Sequence, residues 1–360
     1  MSVQGCTLVF DVGGTNLRAG LHDPTTGGIV AELTRATPSL WTLPGLRAEE
    51  LRARLLEEME AMGRALLGEC HPALVSAALP GPVDDQGDVH GCPTIWGHLD
   101  QGPFAVRAAL ERTWPGARIF VVNDVTAAGY RYLDEGAGDA GSLCVLTVSS
   151  GIGHKVFIAG RPALGPSGRG GEIGHWRVDL SPEAPLCDCG GRGHLAAIAS
   201  GRGVLRAAAH HARRDPGAFG RSPLGERSGG DPDALDNPAL AEAFRGGDPW
   251  AHDVVCAAAQ PLGQALAAIH LGVGTERFVL VGGFALALGE RYRAEVARAA
   301  AACTWGPPED WDARVTLGDA HEPIGLLGAG RYALAMAAGS STASTTPAAS
   351  TAPQAQQEVP

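Results

Sequence analysis

The chain has 360 residues, 45% of them hydrophobic and 19% charged, which allows two ordinary globular domains and excludes a single small binding module. A formal net charge of -11 opposes the attraction to phosphate backbones on which nucleic-acid binding depends, so no DNA or RNA partner is expected. No apolar run reads as a bilayer span. The start runs almost at once into Cys6 to Phe10 without a basic secretory leader, so a soluble, cytoplasmic protein is expected.

In chain order, Thr7 to Phe10 and Leu17 to Gly20 predict two strands of a hairpin around Val12-Gly13-Gly14-Thr15, with a third strand over Gly27 to Thr34. Between Pro44 and Glu69, Leu51, Leu55, Met59, Met62 and Leu66 recur at three- or four-residue intervals, the mark of an amphipathic helix. Ala73 to Leu79 reads as a buried strand ending at Pro80-Gly81-Pro82. Ile119 to Val122 reads as another, ending at Asn123-Asp124 and feeding a helix from Val125 to Tyr132. Strands that stop at polar residues and lead into helices predict an α/β arrangement with ligand groups at the strand ends.

The pattern then restarts. Leu143 to Val148 and Lys155 to Ala159 predict a second hairpin around Ser149-Ser150-Gly151-Ile152-Gly153, and a boundary is expected near Gly136 to Gly141. The sequence predicts an exposed loop from Gly217 to Asp236 and helical patterning from Pro238 to His270, broken near Gly246-Gly247. A strand over Phe278 to Val281 ends at Gly282-Gly283. The expected division is a smaller lobe over residues 1–137, completed by a C-terminal helix at about 320–337, and a larger lobe over 138–319. A Ser-, Thr-, Ala- and Pro-rich tail over 338–360 is expected to be disordered.

Several clusters carry chemistry. Asp11 sits at a strand end beside Gly13 and Gly14, where bare backbone approaches phosphate and a carboxylate holds hydrated magnesium; the alternative is a tight turn with no ligand. Ser149 to Gly153 repeats that arrangement. Asp124 reads either as a helix cap or as the general base that takes a proton from a substrate hydroxyl during phosphoryl transfer. His175, Cys187, Cys189 and His194 supply the ligand types and number of a tetrahedral zinc site, against the alternative of free surface thiols. The other six cysteines are scattered among apolar neighbours, as reduced core thiols are. Lys155 is the only lysine in an arginine-biased chain.

Taken together, these motifs resemble the ROK family of sugar kinases and repressors from about Thr7 to Ala335. The landmarks are Asp11 to Thr15, Pro80 to Asp84, Asn123-Asp124, Gly171-Glu172-Ile173-Gly174-His175, Cys187 to His194, and Gly282-Gly283. The resemblance implies a two-lobed actin-like ATPase fold, related to ribonuclease H, with a central cleft. It implies ATP, Mg2+ and a structural Zn2+, a small-molecule polyol substrate, and a homodimer. By carry-over Asp124 is the catalytic base, and Asn123, Glu172 and His175 hold substrate hydroxyls. Asp11, Gly13, Gly14, Thr15, Asn16, Ser150, Gly151 and Gly153 face the phosphates, and Gly282 and Gly283 line the adenosine. His175, Cys187, Cys189 and His194 ligate zinc.

The departures bear on the substrate. His194 stands where the family has a third cysteine, which zinc accepts. Ala196 replaces the usual sugar-gripping glutamate, so ordinary glucose specificity is not expected. His154 and Lys155 replace two glycines of the second phosphate turn, and Lys155 is expected beside a phosphate, the alternative being a solvated lysine at a strand start. These departures resemble the C7-cyclitol kinases, which phosphorylate a primary hydroxyl of a carbocyclic sugar mimic. A glucokinase or another hexose or N-acetylhexosamine kinase is the alternative. A non-catalytic sugar sensor is a further one, and a repressor is disfavoured because the phosphate turn begins at Asp11.

Overall fold

Apolar residues on both sides of the Gly13-Gly14 turn make β1 (Thr7–Val12) and β2 (Asn16–His22) an antiparallel hairpin, to which β3 (Ile29–Ala36) adds. A computed structural model describes residues 5–92, 95–97, 102–133, 141–165 and 170–342. Helix α1 (Ala48–Leu67) buries Leu51, Leu55, Met59 and Met62 along one face, as its periodicity requires. Strand β4 (Leu74–Leu79) pairs parallel with β1. After α2 (Val106–Thr113), β5 (Arg118–Asn123) pairs parallel with β4 and passes directly into α3 (Asp124–Tyr132).

A second sheet repeats the scheme. Strands β6 (Ser142–Val148), β7 (Ile152–Ile158) and β8 (Arg161–Pro162) are antiparallel. The helices α4 (Leu195–Ala199), α5 (Gly201–Arg214), α6 (Pro216–Gly220), α7 (Pro223–Arg227), α8 (Asn237–Arg245) and α9 (Pro249–Val273) follow. Then come β9 (Arg277–Val281), α10 (Gly283–Leu288), α11 (Glu290–Ala301), α12 (Trp311–Arg314), β10 (Val315–Leu317) and α13 (Ile324–Thr342). The sheet orders are β3-β2-β1-β4-β5 and β10-β9-β6-β7-β8. Read in matching directions, each is a three-strand antiparallel meander extended by two parallel strands.

Period-two alternation gives each central strand two apolar faces. Leu8, Phe10 and Val12 join the core under α1 and α2, whereas Val9, with Ala78 and Val122, meets Ala127 of α3 and Leu326 and Ala329 of α13. On the other side of α3, Val125 and Ala128 meet Val145, Phe157, Val279 and Val281 of the second sheet. The remaining face of that sheet carries the large core with α4 to α11. Helices α3 and α13 therefore lie between the two sheets. Contact there is close: a methyl on Gly129 would come within 2.0 Å of the Phe157 ring, and one on Gly328 within 1.9 Å of the Ala127 carbonyl oxygen.

Three sequence expectations are corrected. The segment from Gly217 to Asp236 is not simply an exposed loop: α6 and α7 occupy much of it and bury Phe219 and Leu224 in the large core. The signals were Asp215 and Ser222, which cap helices with proline in the first turn and accept from the Ala218 and Gly225 amides. Helix α13 continues through Thr342, past the expected start of the tail; residues 343–360, and most of the expected boundary at 136–141, lie outside the described residues. Finally, α9 is long and apolar enough to cross a membrane, with a window of mean hydropathy 1.4. Of that window 56% is buried, and Leu262 and Leu266 belong to the large core.

Candidate active site

Position 11 lies on the same face of β1 as Val9, the face toward α3 and α13. The Asp11 carboxylate lies 3.1 Å from the Arg18 guanidinium, which opposes the upward shift that burial gives it. The start of α13 closes over it: a methyl on Gly325 would fall within 2.3 Å of that carboxylate. The adjoining turn is fixed by Thr37, whose hydroxyl donates to the Gly13 carbonyl at 2.7 Å and whose amide donates to the Thr15 carbonyl at 2.9 Å. Thr15 and Asn16 are exposed at the tip.

Asn123 is the N-cap of α3. Its side-chain oxygen accepts from the Val125 and Thr126 amides, each at 3.1 Å, a cap that contributes about 1 kcal/mol. Its amide nitrogen donates to the Gly81 carbonyl and to Asp124 Oδ1, each at 3.0 Å. Gly81 reaches that place through a turn with φ of 100°. A Cβ there would collide with the Gly91 carbonyl oxygen, so the Pro-Gly-Pro segment has a structural reason for its glycine. The amide nitrogen of Asn123, the side chain expected on substrate hydroxyls, thus reaches the Asp124 carboxylate while its oxygen caps α3.

Asp124 Oδ1 also accepts from the Val125 amide at 2.8 Å, while Oδ2 has no hydrogen-bond donor among the described residues. Burial, and then the negative charge of Asp11, push its pKa up to about 7; the Val125 amide and Lys155 oppose the rise, and Glu172 adds a little to it.

Across the cleft, Lys155 pairs with Val145 in the β6–β7 register, so its side chain faces α3. It is 2% exposed. Its ammonium donates to the Gly170 carbonyl at 2.6 Å and to Glu172 Oε1 at 3.3 Å. The lysine is thus buried and not solvated, and its ammonium faces the Gly170 carbonyl and the Glu172 carboxylate. Gly171, with φ of 97°, lets residues 170–173 run close along β7, since any Cβ there would meet the His154 carbonyl and the Lys155 side chain. His154 is buried, and its pKa is lowered to about 4 by burial and by Lys155. Its neutral Nδ1 accepts from the Ile173 amide at 3.3 Å.

The second turn is held by α5: the Gly201 amide donates to the Ser149 carbonyl at 2.8 Å and Arg202 to the Ser150 carbonyl at 2.9 Å. Ser150 is exposed, and Gly151 and Gly153 are half-buried. Gly282, with φ of 95°, packs against the end of β6, where a Cβ would lie 2.7 Å from the Thr147 hydroxyl. Gly283 opens α10 with free space beside it.

His175, Cys187, Cys189 and His194 place one donor atom each within 4.8 Å of one another. Cys189 Sγ lies 3.2 Å from His194 Nδ1, and the Cys187 amide and carbonyl close a tight turn with Gly191 and Gly190 at 2.7 and 2.8 Å. Two thiols and two imidazoles at this spacing fit a tetrahedral zinc ion. A methyl on Gly191 would overlap the His194 ring, which is why glycine stands there. Ala196 follows on α4 with only a methyl group to offer.

Two sheets of matching topology, each opening on a glycine-turn hairpin, with the Asp124 carboxylate at the start of the helix between them, define an actin-like ATPase fold. The family model described as the ROK family matches residues 7–336, and the chain belongs to that family. It is 40% identical over 296 residues to a C(7)-cyclitol 7-kinase from Streptomyces hygroscopicus subsp. jinggangensis, covering 81% of this chain and 83% of the relative. It is 34% identical over 303 residues to a 2-epi-5-epi-valiolone 7-kinase from an Actinoplanes species, covering 80% of each. Among solved structures it is similar to a ROK family glucokinase from Streptomyces griseus in complex with glucose and AMPPNP. The TM-score is 0.74 at 26% identity, covering 92% of this chain and 100% of that one.

Thr37, Arg18 and Gly325 were not legible as site residues from the sequence. Thr37 and Gly325 act through contacts 24 and more than 300 residues away; Arg18 is nearer, but its role depends on strand register.

Proposed function

We propose that the protein is an ATP-dependent kinase that phosphorylates a primary hydroxyl of a C7-cyclitol, with Asp124 as general base. The observation that carries the reading is the Asp124 carboxylate. One oxygen is tethered by Asn123 and the Val125 amide, the other is free to accept, and the pKa of about 7 matches proton transfer near neutrality. The free oxygen takes the hydroxyl proton as the alkoxide oxygen forms its bond to the γ-phosphorus and the bond to ADP breaks.

Gly13 to Asn16 and Ser150 to Gly153 would receive the phosphates on bare backbone, and Asp11 would hold the magnesium ion that offsets their charge. Gly282 and Gly283 would lie along the adenosine. Glu172, held by Lys155, and His175 would accept and donate to ring hydroxyls. A zinc ion on His175, Cys187, Cys189 and His194 would fix that loop. The lobe division near residue 137, a homodimer and a cytoplasmic location belong to the same reading.

The relatives' names and Ala196 favour a cyclitol over glucose, because a methyl group leaves one ring hydroxyl without a charged partner. A hexose kinase is the second reading, supported by the similarity to the glucokinase. Coupled ADP release should be measured over C7-cyclitols, hexoses and N-acetylhexosamines. The highest kcat/KM is expected with a C7-cyclitol. A higher value with glucose would install the second reading, and no ADP release with any of them would leave a sugar sensor.

A further inference from the structure

Helices α9 and α11 approach closely, since a methyl on Gly263 would lie 2.5 Å from the Ala299 methyl. Near one end of this contact His252 and Cys256 stand one helical turn apart on α9, with Glu295 opposite on α11. One donor atom from each lies within 4.8 Å of the others. Cys256 Sγ is 3.4 Å and Glu295 Oε1 3.9 Å from the same nitrogen, His252 Nε2. Donors bound to one tetrahedral ion at the usual bond lengths sit roughly 3.3–3.8 Å apart, so the cluster is close to that spacing.

His252 Nδ1 lies 3.6 Å from the exposed Asp253 carboxylate, just beyond hydrogen-bond reach, on the side away from Cys256 and Glu295. Phe244 lies nearly parallel to the ring, at 6.0 Å and 13°. Arg298 places both of its bonds, at 3.0 and 2.5 Å, on Glu295 Oε2, leaving Oε1 toward His252.

We propose that Cys256 Sγ, His252 Nε2 and Glu295 Oε1 form a second metal site, separate from the Cys187 loop. It would take one divalent ion of the zinc class, with water as the fourth ligand. Thiolate and carboxylate together balance the 2+ charge, and binding releases the Cys256 proton to solvent. An imidazole, a thiolate and a carboxylate favour a borderline-soft ion over magnesium or calcium. The ion would pin α9 to α11 on the face of the large core remote from Asp124.

The test is titration of metal-free full-length protein with Co2+ alone, following thiolate-to-cobalt absorption, for the wild type and for His252→Asn and Cys256→Ser. Two equivalents are expected for the wild type and one for each variant, with the metal-free melting temperature unchanged. Glu295→Gln should weaken the second equivalent by roughly 10- to 100-fold, the scale of changes around a bound metal. The same stoichiometry in wild type and both variants would overturn the site. One equivalent in the wild type and none in the variants would support it and remove the Cys187 loop as a metal site.

Discussion

Asp124 carries a stability cost that the proposed general-base role requires. Its pKa lies at about 7 in the folded chain against 3.8 for a free carboxyl, so the folded state binds the proton more tightly. Its contribution to stability is therefore full below 3.8 and is lost as the pH rises toward 7. Asp124→Asn should match the wild type in melting temperature near pH 4 and exceed it at about pH 8, while kcat falls by about 100-fold or more. Equal melting temperatures at both pH values would contradict the buried charge. Lys155 acts on the same group. Lys155→Met should raise the KM for the polyol about 10- to 100-fold by releasing Glu172, leave the KM for ATP unchanged, and move the acid limb of the pH-rate profile upward as Asp124 loses a favourable charge. A change confined to the KM for ATP would instead return Lys155 to the phosphates. The sequence exposed Asp124 because it ends an apolar strand. It did not expose the Lys155–Glu172 pair, because that contact depends on the left-handed turn at Gly171 and on which face of β7 looks toward α3.

At the scale of elements, legibility followed local chemistry. The periodicity of α1, the break between α8 and α9 at Gly246-Gly247, and the paired hairpins all lie within short windows of sequence, and the structure places them there. Helices α6 and α7 went unread because Gly, Pro and Ser surround single buried anchors, although Asp215-Pro216 and Ser222-Pro223 are helix starts by capping chemistry. The loop from His175 to His194 has little regular structure of its own, so a bound ion is its main source of order under the proposed reading. Chelation should lower the melting temperature and raise the KM for the polyol through His175 and Glu172, with metal analysis reporting the loss. An unchanged KM after complete removal of metal would detach that loop from the substrate. Gly325→Ala tests the start of α13: its methyl has no room against Asp11, and overpacking of this kind costs about 1–3 kcal/mol. The variant should lose stability and bind Mg-ATP more weakly, both of which thermal shift with and without nucleotide would read.

The whole molecule is two similar sheets joined through shared helices, and that arrangement sets how it unfolds. Val125 and Ala128 of α3 face the second sheet while Ala127 faces the first, so the inner face of neither sheet is covered without this helix. Helix α13 adds Leu326 and Ala329 to the cluster on the inner face of the first sheet, and the Arg131 guanidinium holds Glu322 just before it with bonds of 2.8 and 2.7 Å. The restart after Tyr132 predicted two lobes and the sequence predicted a C-terminal helix at about 320–337 beside the first, but not which residues of that helix meet the first sheet. Two independent domains would melt in two steps; sheets whose inner faces share α3 and α13 should melt in one. Calorimetry should therefore give a single transition with calorimetric and van't Hoff enthalpies in agreement, shifted upward as one peak by a polyol with a non-hydrolysable nucleotide. Glu322→Gln should lower that transition without splitting it, because it loosens the tie between α13 and α3 and leaves both apolar faces intact. Two resolved peaks in the unliganded wild type would mean that the lobes fold separately and that the shared helices belong to only one of them.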